Sequence, residues 1–207
     1  MKIPFDKVYI VSFVKNINKQ NMIKSFLDNL NIQYEFIYGI DTNSLLDIIN
    51  YQTIEFINKN KHDEFTYNIG HISCGIAHYT AIQHAYESNY NKILIIEDDA
   101  IFTSNINYIE YCFNNMPKDA DSCRFGLTWR NDDEIIRISN DFWIKNRSYV
   151  GTQCYSINNR ETMLQFLTEM NLHFRESDDN YLLHDKNVYQ LKTLICKDPN
   201  SPLEIKK

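Results

Sequence analysis

The hydrophobic pattern of the chain alternates short apolar runs with amphipathic segments. Residues Ile93–Ile96 are consecutive, apolar and mostly β-branched, and the run is too short for a helix. Such a run is typical of a strand that is buried on both faces of a parallel sheet. Further strands are predicted at Lys7–Phe13 and Gln33–Tyr38, and between them Asn18–Leu30 has apolar residues at helical spacing. The order strand, helix, strand predicts a right-handed crossover and a parallel sheet.

The same criteria predict the remaining elements and one domain. The fold class is therefore α/β, with a Rossmann-like, mostly parallel sheet flanked by helices in a single domain over residues 1–198. Two prolines mark residues 199–207 as a loose tail. The other predicted helices cover 69–88, 105–115 and 158–170, and the other predicted strands cover 123–128, 135–138, 149–157 and 188–195.

Three carboxylates, Glu97, Asp98 and Asp99, follow the central apolar run directly. Ligands of open α/β sheets bind beyond the carboxyl ends of the strands, where these residues are expected to lie. Like charges this close repel one another unless a cation or hydrogen-bond donors offset them. A divalent cation with oxygen ligands, which could in turn hold phosphates, is one solution. The alternative is that these acids cap the next turn in solvent.

Other residues could complete such a site, although each also has an ordinary structural role. Asp41 follows the second strand and is equally suited to cap the next helix. His78 lies on the predicted helix 69–88, where a lone histidine is more often structural than a ligand. Trp129 and Arg130 could contact a sugar, or could be plain loop residues.

A second acidic pair, Asp178 and Asp179, precedes a short predicted helix that runs through His184. An inverting sugar transfer needs one carboxylate to accept the proton of the acceptor hydroxyl, and this pair could supply it. His184 could reach a metal ion. Both acids would also suit the first turn of a helix as caps.

Composition excludes several classes of protein. The 207 residues include 21 basic and 27 acidic ones, a net charge of −6, which argues against binding of nucleic acid. The five glycines form no phosphate-binding loop, so a phosphate would be held by other means, such as a metal ion. The five cysteines lack paired spacing and are expected to be reduced. With no signal peptide or integral membrane segment apparent, we expect a cytoplasmic protein.

Two linked motifs resemble glycosyltransferase family 25, the group of lipooligosaccharide and collagen galactosyltransferases. Residues 70–78 read Gly-His-Ile-Ser-Cys-Gly-Ile-Ala-His, and 94–99 read Leu-Ile-Ile-Glu-Asp-Asp at the distance found in that family. The family pattern is Gly-Glu-Ile-Gly-Cys-Ala-Leu-Ser-His, a helix, and then Ile-Leu-Glu-Asp-Asp. Weaker matches in the same order lie at Val8–Met22, Gly151–Leu164 and Asp179–Leu182.

The resemblance implies a GT-A fold and an inverting hexosyltransferase that uses a UDP-sugar, galactose or glucose, and Mn²⁺ or Mg²⁺. The acceptor would be a glycan or a protein-linked group. The resemblance implies a metal at a Glu97-Asp98-Asp99 version of the DxD motif, with Glu97 and Asp99 as ligands. His184 is a further candidate ligand because it lies beside the second acidic pair, and we predict Asp179 as the catalytic base. For such an enzyme we predict donor-binding residues from their places in the predicted sheet and motifs, namely Ser12, Asp41, His78, Glu97 and Asp98. Trp129 and Arg130 are the candidate acceptor or sugar contacts.

The chain departs from the family pattern at His71, Ser73 and Ala77, where the family has Glu, Gly and Ser. These departures motivate an alternative, a catalytically degenerate module that binds a nucleotide sugar without transferring it. A phosphohydrolase with a carboxylate nucleophile fits less well, because the acidic stretch lacks the Asp-x-Asp-x-Thr pattern.

Overall fold

A computed structural model describes residues 1–39, 69–130, 133, 135–138, 142–146, 149–173, 187–197 and 199. Within these ranges, a ten-stranded mixed sheet, a two-stranded sheet and four helices confirm the predicted α/β class. The predicted helix after Asp41, the second acidic pair and the tail beyond residue 199 lie outside the described residues. The helices are α1 Ile17–Asn29, α2 Ile69–Glu87, α3 Ile106–Asn114 and α4 Arg160–His173.

The large sheet runs in the order β2-β1-β3-β10-β5-β11-β8-β7, with β4 and β12 at its side, and β6 pairs with β9 in the small sheet. The strands are β1 Lys7–Phe13, β2 Glu35–Gly39, β3 Ile93–Glu97, β4 Ile101–Phe102, β5 Ser122–Gly126, β6 Trp129–Arg130, β7 Ile135–Ile138, β8 Trp143–Asn146, β9 Tyr149–Val150, β10 Cys154–Ile157, β11 Val188–Leu191 and β12 Cys196–Lys197.

The central strand β3 has the environment that its apolar run predicts. Residues 93–96 are fully buried, and β3 pairs in parallel with β1, which pairs in parallel with β2. The register sets Val11 of β1 opposite Glu97 of β3, and Ser12 opposite Tyr38 of β2. The carboxyl ends of the three strands therefore share one edge of the sheet, and the acidic residues follow β3 at that edge.

On the side of β3 that faces away from β1, the neighbouring strand is antiparallel, which the hydrophobic pattern does not reveal. Strand β10 pairs antiparallel with both β3 and β5, whereas β5 and β11 are parallel. The predicted strand 149–157 is two strands, separated at Gly151, whose φ of +124° favours glycine. A Cβ at this position would collide with Thr128 and Gln153, so the backbone that separates β9 from β10 requires glycine here.

Helix α2 packs closely on the sheet because the side chains on its buried face are small. Ala77, Ala81 and Ala85 are buried, and the helix contacts β1, β2 and α4. Helix α3 begins where the sequence predicts it, since the Asn105 side chain accepts a hydrogen bond of 2.9 Å from the backbone N–H of Tyr108. No helix within the described ranges combines the length and apolar character that a bilayer span requires.

All five cysteines lie in the described ranges, none of them in a disulfide, and four of them are buried. Cys196 packs in the core beside Gly126, with which it pairs across β12 and β5. Burial raises the pKa of the Cys196 thiol well above its ordinary value, and the neighbouring Cys154 adds to the shift. The Cys196 thiol is therefore a neutral packing group.

Replacing Gly126 with alanine should lower the free energy of unfolding by about 1–3 kcal/mol, the usual cost of overpacking. The added Cβ would overlap Cys196 Sγ and lie 3.0 Å from the Cys196 carbonyl oxygen. Urea unfolding of Gly126→Ala against wild type measures the effect. In a Cys196→Ala background the same substitution should cost less, because the sulfur is gone; an equal cost in both backgrounds would contradict this explanation.

Candidate active site

The acidic residues 97–99 form a turn that is fixed to both neighbouring strands. The backbone N–H of Glu97 donates to the carbonyl of Gln153 at 2.9 Å, and that of Asp98 donates to the carbonyl of Val11 at 3.0 Å. The N–H of Ala100 closes the turn on the Glu97 carbonyl at 3.1 Å. With the backbone held in this way, the three carboxylates have three different sets of partners.

Asp98 connects the acidic turn to the end of β1. Its Oδ2 accepts hydrogen bonds from Ser12 Oγ at 2.6 Å and from Asn16 Nδ2 at 2.9 Å, and the residue is buried. Gln20 of α1 supports this arrangement by donating to Ser12 Oγ at 3.1 Å and to the Phe13 carbonyl at 2.7 Å. The structure thus brings the predicted donor residues Ser12 and Asp98 together, bonded to each other.

Of the three carboxylates, Asp99 is the one with a buried oxygen that accepts no hydrogen bond from the described residues. Its Oδ2 pairs with Lys19 Nζ at 3.0 Å, whereas its Oδ1 is buried without a hydrogen-bond partner among the described residues. Burial raises the pKa of Asp99, the negative charge of Glu97 raises it further, and Lys19 opposes both. A cation at Oδ1 would relieve this unfavourable charge.

An apolar groove of about 350 Å³ adjoins Asp99. Phe26 of α1 stacks on Phe102 of β4 in its wall, with ring centroids 4.4 Å apart. The groove is mostly apolar apart from the acidic turn and Lys19 at one end. Its other lining residues are Met22, Ile23, Asp98, Ala100, Ile101 and Pro199.

Glu97 has different neighbours from Asp98 and Asp99. Its Oε1 accepts a short hydrogen bond from Thr152 Oγ1 and lies 3.4 Å from His78 Nε2. Burial favours the neutral acid, but the interactions with His78 and Thr152 outweigh it and lower the pKa of Glu97. Glu97 is therefore a carboxylate held between α2 and the segment that leads into β10.

His78 is fully buried beneath Glu97. Its Nδ1 lies 3.0 Å from the Tyr155 hydroxyl, and the two rings stack at 25° with centroids 5.7 Å apart. The Arg124 guanidinium lies 4.4 Å from the centroid of the Tyr155 ring. Cys74, one helical turn before His78, has its sulfur in the same cluster as the His78 and Glu97 ligand atoms.

Sequence reasoning missed the roles of Cys74, Thr152 and Tyr155. The four-residue spacing of Cys74 and His78 was an available signal, because residues at i and i+4 share a helix face. Thr152 and Tyr155 gave no such signal, since the antiparallel pairing of β10 with β3 brings Thr152 to Glu97 and Tyr155 to His78.

The structure describes only two of the remaining predicted site residues. Trp129 and Arg130 form β6, whose backbone pairs with Val150 and Tyr149 of β9. The predicted donor residue Asp41, the predicted base Asp179 and the candidate metal ligand His184 lie outside the described residues. Their roles remain sequence-based predictions.

Comparison with known proteins identifies one family. The profile described as "Glycosyltransferase family 25 (LPS biosynthesis protein)" matches residues 5–182, a span that includes the acidic turn and Asp179. No curated protein matches the chain.

Similar solved structures share little sequence with the chain. A197 from STIV is 14% identical at a TM-score of 0.49, covering 97% of this chain and 93% of its own. A Bacillus anthracis protein described as a glucose-1-phosphate thymidylyltransferase is 13% identical at a TM-score of 0.46, with coverages of 89% and 85%. UDP-glucose pyrophosphorylase from Leishmania major is 10% identical at a TM-score of 0.33, with coverages of 96% and 60%.

Proposed function

The chain belongs to glycosyltransferase family 25, and on this premise we propose that it transfers galactose or glucose from a UDP-linked donor to a hydroxyl group, with inversion. The acceptor would be a glycan or a glycosylated protein, and the enzyme a GT-A-type domain over residues 1–198. The observation that supports this most directly is Asp99, a carboxylate at the carboxyl ends of β1 and β3 with a buried, unused oxygen.

The described residues fit a hard divalent cation, Mn²⁺ or Mg²⁺, at Asp99. Such ions prefer oxygen ligands, and Asp99 Oδ1 is an oxygen without a hydrogen-bond partner among the described residues. Glu97 is the second proposed ligand, although its Oε1 already faces Thr152 and His78. His184 stays a proposed third ligand. When bound, the ion would offset negative charge on the departing diphosphate.

The protein's own residues would position the donor and move one proton. Ser12 and Asp98 hold the acidic turn against β1, and together with Asp41 they would border the nucleoside at this edge. His78 would act on the donor site through Glu97, since it is buried beneath that carboxylate. Trp129 and Arg130 would contact the sugar or acceptor.

Asp179 would act as the general base. It would take the proton of the acceptor hydroxyl as that oxygen bonds to the anomeric carbon. The bond from the anomeric carbon to the diphosphate breaks on the opposite face, and UDP leaves with that electron pair. Attack opposite the leaving group accounts for the proposed inversion.

Binding of UDP should depend on a divalent cation. Because the described residues near the acidic turn carry net negative charge, a diphosphate would be repelled there without an ion. Calorimetric titration of UDP into the protein in Mn²⁺ should therefore give clear binding, and titration in EDTA should give none. A blank titration of UDP into Mn²⁺ buffer corrects for direct association. Equal affinity in the two buffers would reject the metal-dependent mechanism.

The second candidate is a degenerate module that binds a nucleotide sugar without transfer. The departures from the family pattern at Ser73 and Ala77 motivate this alternative. Both of these side chains are buried inside the protein, and the acidic turn itself keeps all three carboxylates, Glu97, Asp98 and Asp99. Retained cation-dependent UDP binding without any hydrolysis or transfer of the donor sugar would favour the degenerate module.

A further inference from the structure

Cys74, His78 and Glu97 form a cluster at the junction of α2 and β3. One ligand atom from each residue lies within 4.8 Å of the others, and no other such group of three histidine, cysteine or acidic side chains occurs among the described residues. Cys74 and His78 are neighbours on one face of α2, and Glu97 ends the strand beneath it. The cluster thus combines sulfur, nitrogen and oxygen donors from two elements.

The orientation of His78 suggests what the cluster is for. The Tyr155 hydroxyl lies 3.0 Å from Nδ1, which leaves Nε2 to face Glu97. Nε2 is fully buried and has no hydrogen-bond partner among the described residues, although it lies 3.4 Å from Glu97 Oε1. A buried polar atom without a partner is unfavourable. Metal-binding histidines commonly show this arrangement, with one nitrogen held by a partner and the other directed at the ion.

The spacing of two of the donor atoms, His78 Nε2 and Glu97 Oε1, fits a tetrahedral ion. Nitrogen and oxygen ligands that each lie about 2.1 Å from a tetrahedral zinc ion are about 3.4 Å apart. The distance from His78 Nε2 to Glu97 Oε1 is 3.4 Å. Thr152 donates to the same oxygen, Glu97 Oε1, and so fixes the direction of the carboxylate, as the partners of metal-bound carboxylates do.

We infer that Cys74, His78 and Glu97 bind a borderline transition-metal ion, with Zn²⁺ as the best match to this mixed donor set. Three protein ligands leave a fourth position for water or an added ligand. The ion would join the beginning of α2 to the end of β3 and so hold the acidic turn from below. Glu97 would be shared with the proposed donor cation, but the two sites are distinguishable, because thiolate and imidazole donors select a different ion from the hard cation proposed at Asp99.

Cobalt(II) tests the site directly, because it occupies zinc sites and reports a thiolate ligand by a charge-transfer absorption. Protein freed of metal with a chelator and kept reduced should bind about one Co²⁺ with that absorption and with the intense visible bands of tetrahedral cobalt. One equivalent of Zn²⁺ should abolish both signals. A wild-type protein that shows no thiolate absorption with Co²⁺ would overturn the inference.

Variants assign the signal to this cluster. Cys74→Ser should lose the thiolate absorption, whereas Cys112→Ser, at a buried thiol on α3, should keep it. Asp99→Asn should also keep it, which separates this site from the proposed donor cation. Tyr155→Phe leaves the three ligands in place and should weaken Co²⁺ binding by about 10–100-fold, the usual effect of losing a partner of a ligand. An unchanged absorption in Cys74→Ser would reject the assignment, and far-UV circular dichroism verifies that each variant is folded.

Discussion

Replacing Asp179 with asparagine should reduce the rate of sugar transfer by roughly 10²–10⁴-fold, the usual contribution of a general base, and leave donor affinity near wild type. Asparagine keeps the shape and hydrogen-bonding capacity of aspartate, but it cannot accept the proton of the acceptor hydroxyl. Transfer rate, UDP-sugar affinity and melting temperature of the variant together measure the effect.

Asp178→Asn is the matched control for this experiment. If both acids only cap a helix, both variants should stay near wild type in every measurement, because asparagine caps about as well as aspartate. A fully active Asp179→Asn enzyme would remove Asp179 as the base. A loss confined to Asp178→Asn would transfer the role to that residue.

Replacing Asp99 with alanine should abolish both cation-dependent UDP binding and transfer. Its Oδ1 is the buried oxygen that is proposed to hold the cation, and no other acid of the turn has such an atom among the described residues. The side chain is 25% exposed, so its removal should disturb the core little. Calorimetry with UDP and Mn²⁺ measures binding, and a melting curve confirms the fold.

Lys19→Ala controls for the loss of the ion pair with Asp99. It breaks the same pair as Asp99→Ala but leaves the carboxylate in place, so cation binding should persist or strengthen once the nearby ammonium is gone. If Lys19→Ala abolished UDP binding as completely as Asp99→Ala, the ion pair itself, and not a cation, would be the feature that the donor needs.

The parts of the fold that the sequence predicts well are those with a local cause. The apolar run 93–96 forms the buried strand β3, and α1 and α3 lie where the apolar spacing places them. The antiparallel position of β10 was not predictable in this way, because it depends on pairing between distant segments. The strand break at Gly151 also depends on contacts with Thr128.

The sequence predicts where the acidic residues lie, but it does not predict that each of them contacts a different set of side chains. Adjacent residues at the end of a strand point to opposite faces, so Glu97 meets His78 of α2 whereas Asp98 meets Asn16 at the start of α1. A sequence motif treats Glu97, Asp98 and Asp99 as one group. Only the packing of helices on the two faces of the sheet reveals that Cys74 belongs to the surroundings of Glu97.

The position of β10 also matters while the ribosome makes the chain. When β3 has left the ribosome it can pair with β1, but its other edge is completed only by β10, about 60 residues later, or roughly 3–12 s at ordinary rates of synthesis. During that interval the nascent protein presents an apolar strand with one open edge, the kind of surface that recruits other chains. Synthesis of this sheet therefore has a vulnerable stage, which ends when residues 154–157 emerge and close it.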